Sequence, residues 1–175
     1  MIIKHTFKDH LKHKNKILNL IKQVPDIPMN LPGDKIAKTD WLLTANYKRD
    51  YWEYLWPLLD FMIQDINQRT HGYMKVIAYW FQQYKKGQFH SWHNHVGVHF
   101  SSVYYLELPK GASATELYNT GIDLSDVKEG DILTFPGHIF HRSPPVSSNK
   151  RKTSIVFNTN IHPLEGGGHN EGMYK

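Results

Sequence analysis

Three histidines are spaced so that they could hold one metal ion. His93 and His95 are two residues apart in a strand-like segment, and side chains at positions i and i+2 of a strand point to the same face. His141, in a later strand-like segment, could add a third imidazole. Three ligands on one side of an ion leave positions open for a substrate and a small molecule such as O2. The pattern predicts a catalytic metal site with His93, His95 and His141 as ligands.

The elements that must position these histidines change in character along the chain. A helix is predicted from near Phe7 to near Gln23, with Thr6 and Asp9 as a capping box. Residues 25–46 are rich in proline and indicate an irregular connection. From residue 74 onward, short runs of β-branched and aromatic residues indicate strands: MKVIAYWFQQY, SVYYLELP, DILTFP and TSIVFNTNI.

A second helix is predicted between the irregular connection and the first strand. Apolar residues recur at helical spacing from Tyr51 to Ile66, Pro57 is expected to split or kink the helix, and His71-Gly72 is expected to end it. Two helices followed by strands predict a mainly β protein with N-terminal helices.

The chain length of 175 residues predicts a single domain. Within it, residues 1–73 are expected to be a helical support, residues 74–162 a β core that carries the site, and residues 163–175 a flexible, glycine-rich tail.

The composition of the chain limits the types of metal ligand and the classes of binding partner. The chain has no cysteine, so any metal must be held by histidine, carboxylate or water. The net charge of +5 resides in residues 1–24, which carry six lysines and one aspartate, and we interpret it as the solvated face of the first helix. It gives only weak support to a nucleic-acid partner. The absence of a long apolar run predicts no membrane association, and we expect a cytoplasmic protein.

The sequence segments around the histidines resemble those of a known family. The segments YWFQQYKKGQFHSWHNHVGVHFSSVYYLELP and EGDILTFPGHIFHRSPPVSSNKRKTSIVFN are similar to the double-stranded β-helix (jelly-roll, cupin-like) core of the Fe(II)- and 2-oxoglutarate-dependent oxygenases. The resemblance is closest to a bacterial and phage branch with His-x-His, Ser-x-x-Tyr-Tyr and Phe-Pro-x4-His, and it covers roughly residues 74–160. It implies a dioxygenase, more specifically a hydroxylase, that uses Fe(II), 2-oxoglutarate and O2 and releases succinate and CO2.

The resemblance also implies residues for each cofactor. His93, His95 and His141 match the iron ligands, although the commonest form of the family has a carboxylate where this chain has His95. Matching Ser-Ile-Val-Phe-Asn to the family's last strand places Lys152 as the anchor for the far carboxylate of 2-oxoglutarate. A shift of one residue selects Arg151 instead. The remaining candidates for cosubstrate binding are Ser154, Asn158, Tyr104 and Tyr105.

Two other functions stay open. A metal-binding cupin, either a three-histidine dioxygenase or a sensor, would use the same jelly-roll without 2-oxoglutarate. A non-enzymatic jelly-roll module that binds metal is the second alternative. The substrate is a small molecule or a protein side chain in our interpretation, and the sequence does not choose between them.

Overall fold

Two antiparallel sheets build the protein in a computed structural model that describes residues 1–164. The elements in chain order are β1 (Ile3–Thr6), α1 (His10–Gln23), β2 (Asp34–Lys35), β3 (Lys38–Thr39), α2 (Asp50–Leu55), a 3-10 helix (Trp56–Leu59), α3 (Asp60–Thr70), β4 (Gly72–Tyr84), β5 (Phe89–His93), β6 (Phe100–Glu107), β7 (Glu116–Leu117), β8 (Asp131–Pro136), β9 (His141–Ser143) and β10 (Lys152–Pro163). The mainly β architecture with N-terminal helices is as predicted.

The larger sheet has the strand order β1-β8-β6-β10-β4-β3, and the smaller sheet has the order β2-β5-β9-β7. Strand β10 lies inside the larger sheet, where it pairs with β4 along its whole length and with β6 from Thr153 to Thr159. The smaller sheet carries His93 and His141 on neighbouring strands.

The larger sheet buries its two faces against different partners. Ile155 and Phe157 of β10 belong to a core cluster shared with the helices, whereas Val156 packs with Trp80 and Leu133 in a second cluster. Alternation along the strand therefore directs one face to the helices and the other to the interior of the jelly roll. Burial of each large apolar side chain contributes roughly 1.5–3 kcal/mol.

The start of the chain differs from the prediction. Helix α1 begins at His10 rather than near Phe7, because Ile3–Thr6 pairs with β8 as strand β1. The predicted capping box is wrong: within residues 1–164 the Asp9 side chain makes no capping bond, and the Thr6 hydroxyl donates to Asp131 instead at 2.7 Å.

The second helical segment follows the prediction more closely. Pro57 lies in the 3-10 turn that separates α2 from α3, and α3 ends where His71 adopts a left-handed conformation with φ 49°. The interpretation of residues 25–46 as wholly irregular is wrong, because β2 and β3 each add two residues to a sheet edge. Both strands are too short to leave a periodic pattern.

The division into support, core and tail stays a prediction, and β1 from the expected support pairs with β8 of the expected core. The expected tail begins inside β10, which continues to Pro163, and residues 165–175 lie outside the described part. Among the described residues, none of the helices combines the length and apolar character needed to cross a membrane.

Candidate metal centre

The structure brings His93, His95 and His141 together. His93 ends β5 and lies directly opposite His141, the first residue of β9, while His95 follows two residues after His93 in the connecting loop. Each side chain offers one ring nitrogen, and these atoms lie within 4.8 Å of one another. A single metal ion can be bound between them, and imidazole suits Fe(II) and other first-row metals.

Hydrogen bonds to the main chain orient two of the three rings. Nδ1 of His93 lies 2.7 Å from the carbonyl oxygen of Ser91, and Nδ1 of His141 lies 2.9 Å from that of Ile139. A carbonyl oxygen only accepts, so both Nδ1 atoms carry the proton and both Nε2 atoms present a lone pair. Nε2 of His95 is buried and has no partner among residues 1–164, which fits a nitrogen that binds a metal ion.

Burial keeps the three histidines neutral. Desolvation, with a smaller contribution from neighbouring imidazoles, lowers the pKa of His141 to about 3 and the pKa of His95 to about 4. Burial also lowers the pKa of His93. Metal ligands must be unprotonated, so the site is ready to bind an ion at neutral pH without losing protons.

Gly137 allows the loop that carries His95 to approach β8 closely. The backbone N–H of His95 donates to the Gly137 carbonyl at 2.8 Å, and the Gly137 N–H donates to the His99 carbonyl at 3.0 Å. A Cβ at position 137 would lie 2.6 Å from the Val98 side chain and 2.8 Å from the His95 carbonyl oxygen. Any side chain at position 137 would clash with the loop, so this close approach requires glycine.

Lys152 lies in the same pocket as the histidines. Its side chain is buried, and Nζ donates to the Ser113 carbonyl at 2.7 Å and to the Ser143 hydroxyl at 3.0 Å. No carboxylate within residues 1–164 forms an ion pair with it. Burial lowers its pKa to about 7, with a small opposing effect of Glu116. An anionic ligand would supply the missing counter-charge.

The other residues predicted to bind the cosubstrate differ in the face of β10 on which they lie and in their distance from Lys152. Ser154 lines the pocket together with Lys152. Arg151 points to the other side of β10, where its guanidinium donates two bonds to Glu107, so the structure does not bring it to the histidines. Asn158 shares the face of Lys152, but six residues of strand separate the two by about 20 Å. It is too far away to bind the same carboxylate.

The two adjacent tyrosines point in opposite directions. Tyr104 faces the helices, where its hydroxyl lies 2.7 Å from Nδ1 of His10, and therefore lies outside the pocket. Tyr105 faces the interior near Lys152, but its hydroxyl is already engaged with the hydroxyl and the backbone N–H of Thr115. Tyr105 therefore supports the pocket wall.

Several residues of the site were missed by the sequence reasoning. Ser143 shares the face of His141 two residues earlier, so strand alternation could have identified it. Thr115 and Arg142 also line the pocket. Asp34, from β2, accepts bonds from the backbone N–H and the hydroxyl of Ser91, which fixes the strand that carries His93. No local pattern marked Asp34, because β2 is distant in sequence.

The pocket between Lys152 and the histidines is small. Its cavity volume is about 20 Å³, which holds roughly one water molecule. Binding of a ligand as large as 2-oxoglutarate therefore requires lining side chains to move. Arg142 lies at the edge of the pocket over the ring of Trp92, with 37% of its side chain exposed, and its Nε donates to Glu116 at 2.6 Å, so its displacement would have to break this ion pair.

Comparisons with known proteins agree with the resemblance. Residues 78–126 match the sequence model of a family described as "Putative 2OG-Fe(II) oxygenase". A search of curated protein sequences found no match. A structure of an oxidoreductase of the 2OG-Fe(II) oxygenase family from Burkholderia pseudomallei is similar, with a TM-score of 0.72 and 15% identity over 92% of this chain and 86% of that one.

Two further structures share the fold. The viral collagen prolyl hydroxylase of Paramecium Bursaria Chlorella virus-1, in complex with 2-oxoglutarate, gives a TM-score of 0.66 at 14% identity and covers 90% of this chain and 94% of its own. The non-heme α-ketoglutarate-dependent epimerase SnoN from nogalamycin biosynthesis gives 0.66 at 9% identity, over 95% and 86%. The predicted jelly-roll core and the resemblance to the 2-oxoglutarate-dependent Fe(II) oxygenases are confirmed.

Proposed function

We propose that this chain, which has the jelly-roll fold and the motif order of the 2-oxoglutarate-dependent Fe(II) oxygenases, is a hydroxylase. In the overall reaction, 2-oxoglutarate, O2 and a substrate C–H bond give succinate, CO2 and a C–OH group. His93, His95 and His141 would hold Fe(II), which when bound supplies the activation of O2.

The observation that carries the proposal is the buried ammonium group of Lys152. Without a carboxylate partner among the described residues, it is an energetically unfavourable group unless an anion binds beside it. Its position in the pocket of the three histidines favours a ligand that spans the metal and the lysine, with a carboxylate at the lysine end. The dicarboxylate 2-oxoglutarate has this form.

Each wall of the pocket has a part in the proposed reaction. The main-chain bonds of His93 and His141 hold their imidazoles in one tautomer, and Lys152 orients the cosubstrate by its far carboxylate. Val103, Val156 and Trp80 supply an apolar wall that limits the access of water to the reacting atoms.

The substrate is proposed to approach through a cleft of about 620 Å³ that borders the metal pocket, because Thr115 lines both spaces. This volume suits a small molecule or a protein side chain. Trp92 and Tyr118, both exposed and in edge-to-face contact, supply its aromatic surface. With a substrate found by screening peptides and small molecules, Trp92→Ala is expected to lower substrate-dependent succinate formation and to preserve cosubstrate binding.

The test is an anaerobic titration of the protein with Fe(II) and then 2-oxoglutarate, which follows the visible metal-to-ligand charge-transfer band. We expect the band in the wild type and in Arg151→Met, and its loss in His141→Ala and Lys152→Met. Arg151 is the matched control because it is adjacent to Lys152 and faces away from the pocket. Fe(II) binding without a band in the wild type would refute the proposal and favour the three-histidine cupin. The presence of His95 where most of the family has a carboxylate is the observation that supports this alternative.

A further inference from the structure

A second cleft, of about 820 Å³, lies behind the metal pocket on the other face of the larger sheet. It is bounded by one side of helix α1, by residues of β3 and β4, and by Arg151, which precedes β10. Gln83 and Arg151 line this cleft, whereas their chain neighbours Gln82 and Lys152 line the metal pocket. The two spaces are therefore separated by the sheet itself, and a ligand in this cleft would not touch the histidines.

The cleft concentrates positive charge from distant parts of the chain. Four cationic side chains line it against one carboxylate, Asp26: Lys22, Lys38, Lys85 and Arg151. Arg151 is neutralised by Glu107, but the three lysines form no ion pair within residues 1–164. These lysines come from α1, from β3 and from the residue after β4, and all three line the same cleft, which a basic face of the first helix alone would not produce.

Lys38 is the most confined of these cations. Its Nζ donates to the carbonyl of Ile21, near the end of α1, and lies 6.0 Å from the centre of the Phe81 ring. Burial lowers its pKa, Asp26 and, more weakly, Asp40 oppose this shift, and Arg151 adds to it.

Neutral donors complete the lining. Asn15 and Asn19 lie one turn apart on α1 and line the cleft, as do the apolar residues Leu18 and Val24. Ammonium and amide donors around a space of this size match an anion with several oxygen atoms.

We infer that this cleft binds a compact, multiply charged phosphate ligand of the polyphosphate or nucleotide class, at a site separate from the metal centre. Because the cationic side chains line a single cleft, they favour a compact ligand over a nucleic-acid backbone, which would require cations along an extended path. The inference does not depend on the proposed hydroxylase function.

The experiment is calorimetric titration of the full chain, free of metal, with inorganic tripolyphosphate at physiological salt. The test variant is Lys22→Gln/Lys38→Gln, and the matched control is Lys12→Gln/Lys16→Gln. The control removes two exposed lysines of α1 that do not line the cleft, so both variants lose the same net charge. Lys152→Met checks that the probe does not bind in the metal pocket.

We expect saturable binding to the wild type, the control and Lys152→Met, and at least about tenfold weaker binding to the test variant. Equal weakening in the test and control variants, or no saturable binding, would show a merely solvated surface and overturn the inference. Loss of binding in Lys152→Met would place the probe in the metal pocket and also overturn it. A short single-stranded oligonucleotide that binds where tripolyphosphate does not would replace the compact ligand by a nucleic acid.

Discussion

Replacement of Lys152 by methionine is expected to make the metal-free protein more stable at pH 6 while it removes 2-oxoglutarate binding. The buried ammonium group has a pKa of about 7 in the folded protein, against the ordinary value of 10.5. Because the folded-state pKa is lowered, the charged form is disfavoured by folding. The cost is complete below pH 7 and disappears as the pH rises towards 10.5.

The pKa values give the size of this effect. A difference of 3.5 pH units between 10.5 and about 7 corresponds to about 5 kcal/mol of destabilisation at pH 6. Methionine leaves the Ser113 carbonyl and the Ser143 hydroxyl without their donor, at a cost of about 1.5 kcal/mol each, or about 3 kcal/mol together. The net gain in the free energy of unfolding is therefore about 2 kcal/mol at pH 6, and it is expected to change sign above about pH 8.

Urea denaturation of the wild type and of Lys152→Met at pH 6 and at pH 9.5, without metal or cosubstrate, measures both values. Arg151→Met is the control, because its exposed side chain faces solvent and its loss should change stability by less than about 1 kcal/mol at either pH. If Lys152→Met is less stable than the wild type at pH 6, then Lys152 is not a strained, unpaired cation and the argument for an anion site is lost.

Three further outcomes are expected, at Lys152, at the buried ion pair of Asp40 and Arg49, and at Gly137. Between pH 6 and pH 8 the dissociation constant of 2-oxoglutarate, measured by the charge-transfer titration, is expected to rise about tenfold because Lys152 loses its proton. A dissociation constant that does not change with pH would contradict the role of the ammonium group. Asp40→Ala leaves the buried guanidinium of Arg49 without its carboxylate partner at 2.7 Å and should lower the free energy of unfolding, measured by urea denaturation, by about 3–5 kcal/mol. A loss of less than about 1 kcal/mol would show that this ion pair does not support the core. Gly137→Ala should displace the loop of His95 and weaken Fe(II) binding about 10–100-fold in a competition titration, and unchanged affinity would show that the loop adapts.

The longer strands of the larger sheet were predictable because they are strongly patterned, whereas β5 and β9, which carry His93 and His141, have only five and three residues. DILTFP is strand β8 residue for residue, and the predicted strand from residue 153 to residue 161 lies inside β10. Such runs combine β-branched and aromatic residues with clear turn signals on both sides. The first strand, IKHT, is four residues long and partly polar, so its pairing with β8 is a long-range contact that no local pattern reveals.

The site shows the same division between local and long-range information. The His-x-His spacing identified two neighbouring ligands without any knowledge of the fold, although His95 lies in the loop after β5 and not on the strand itself. The choices between Lys152 and Arg151 and between Tyr104 and Tyr105 depend on which face of a strand is inward, and a shift of one residue reverses it. The structure provides that register: Ser154 pairs with Tyr105 and lies on the interior face.

Strand β10 separates two chemical environments, and this constrains how the protein can change. Its odd- and even-numbered residues face different compartments, so substitutions on one side can accumulate, or be engineered, with little effect on the other. Insertion or deletion of one residue near its start would exchange Lys152 with a neighbour and alter both compartments at once. The register shift after Asn158 lies beyond both linings, where a change in length would do less harm. The start of β10 is therefore constrained in length, while each of its two faces can change in composition independently of the other.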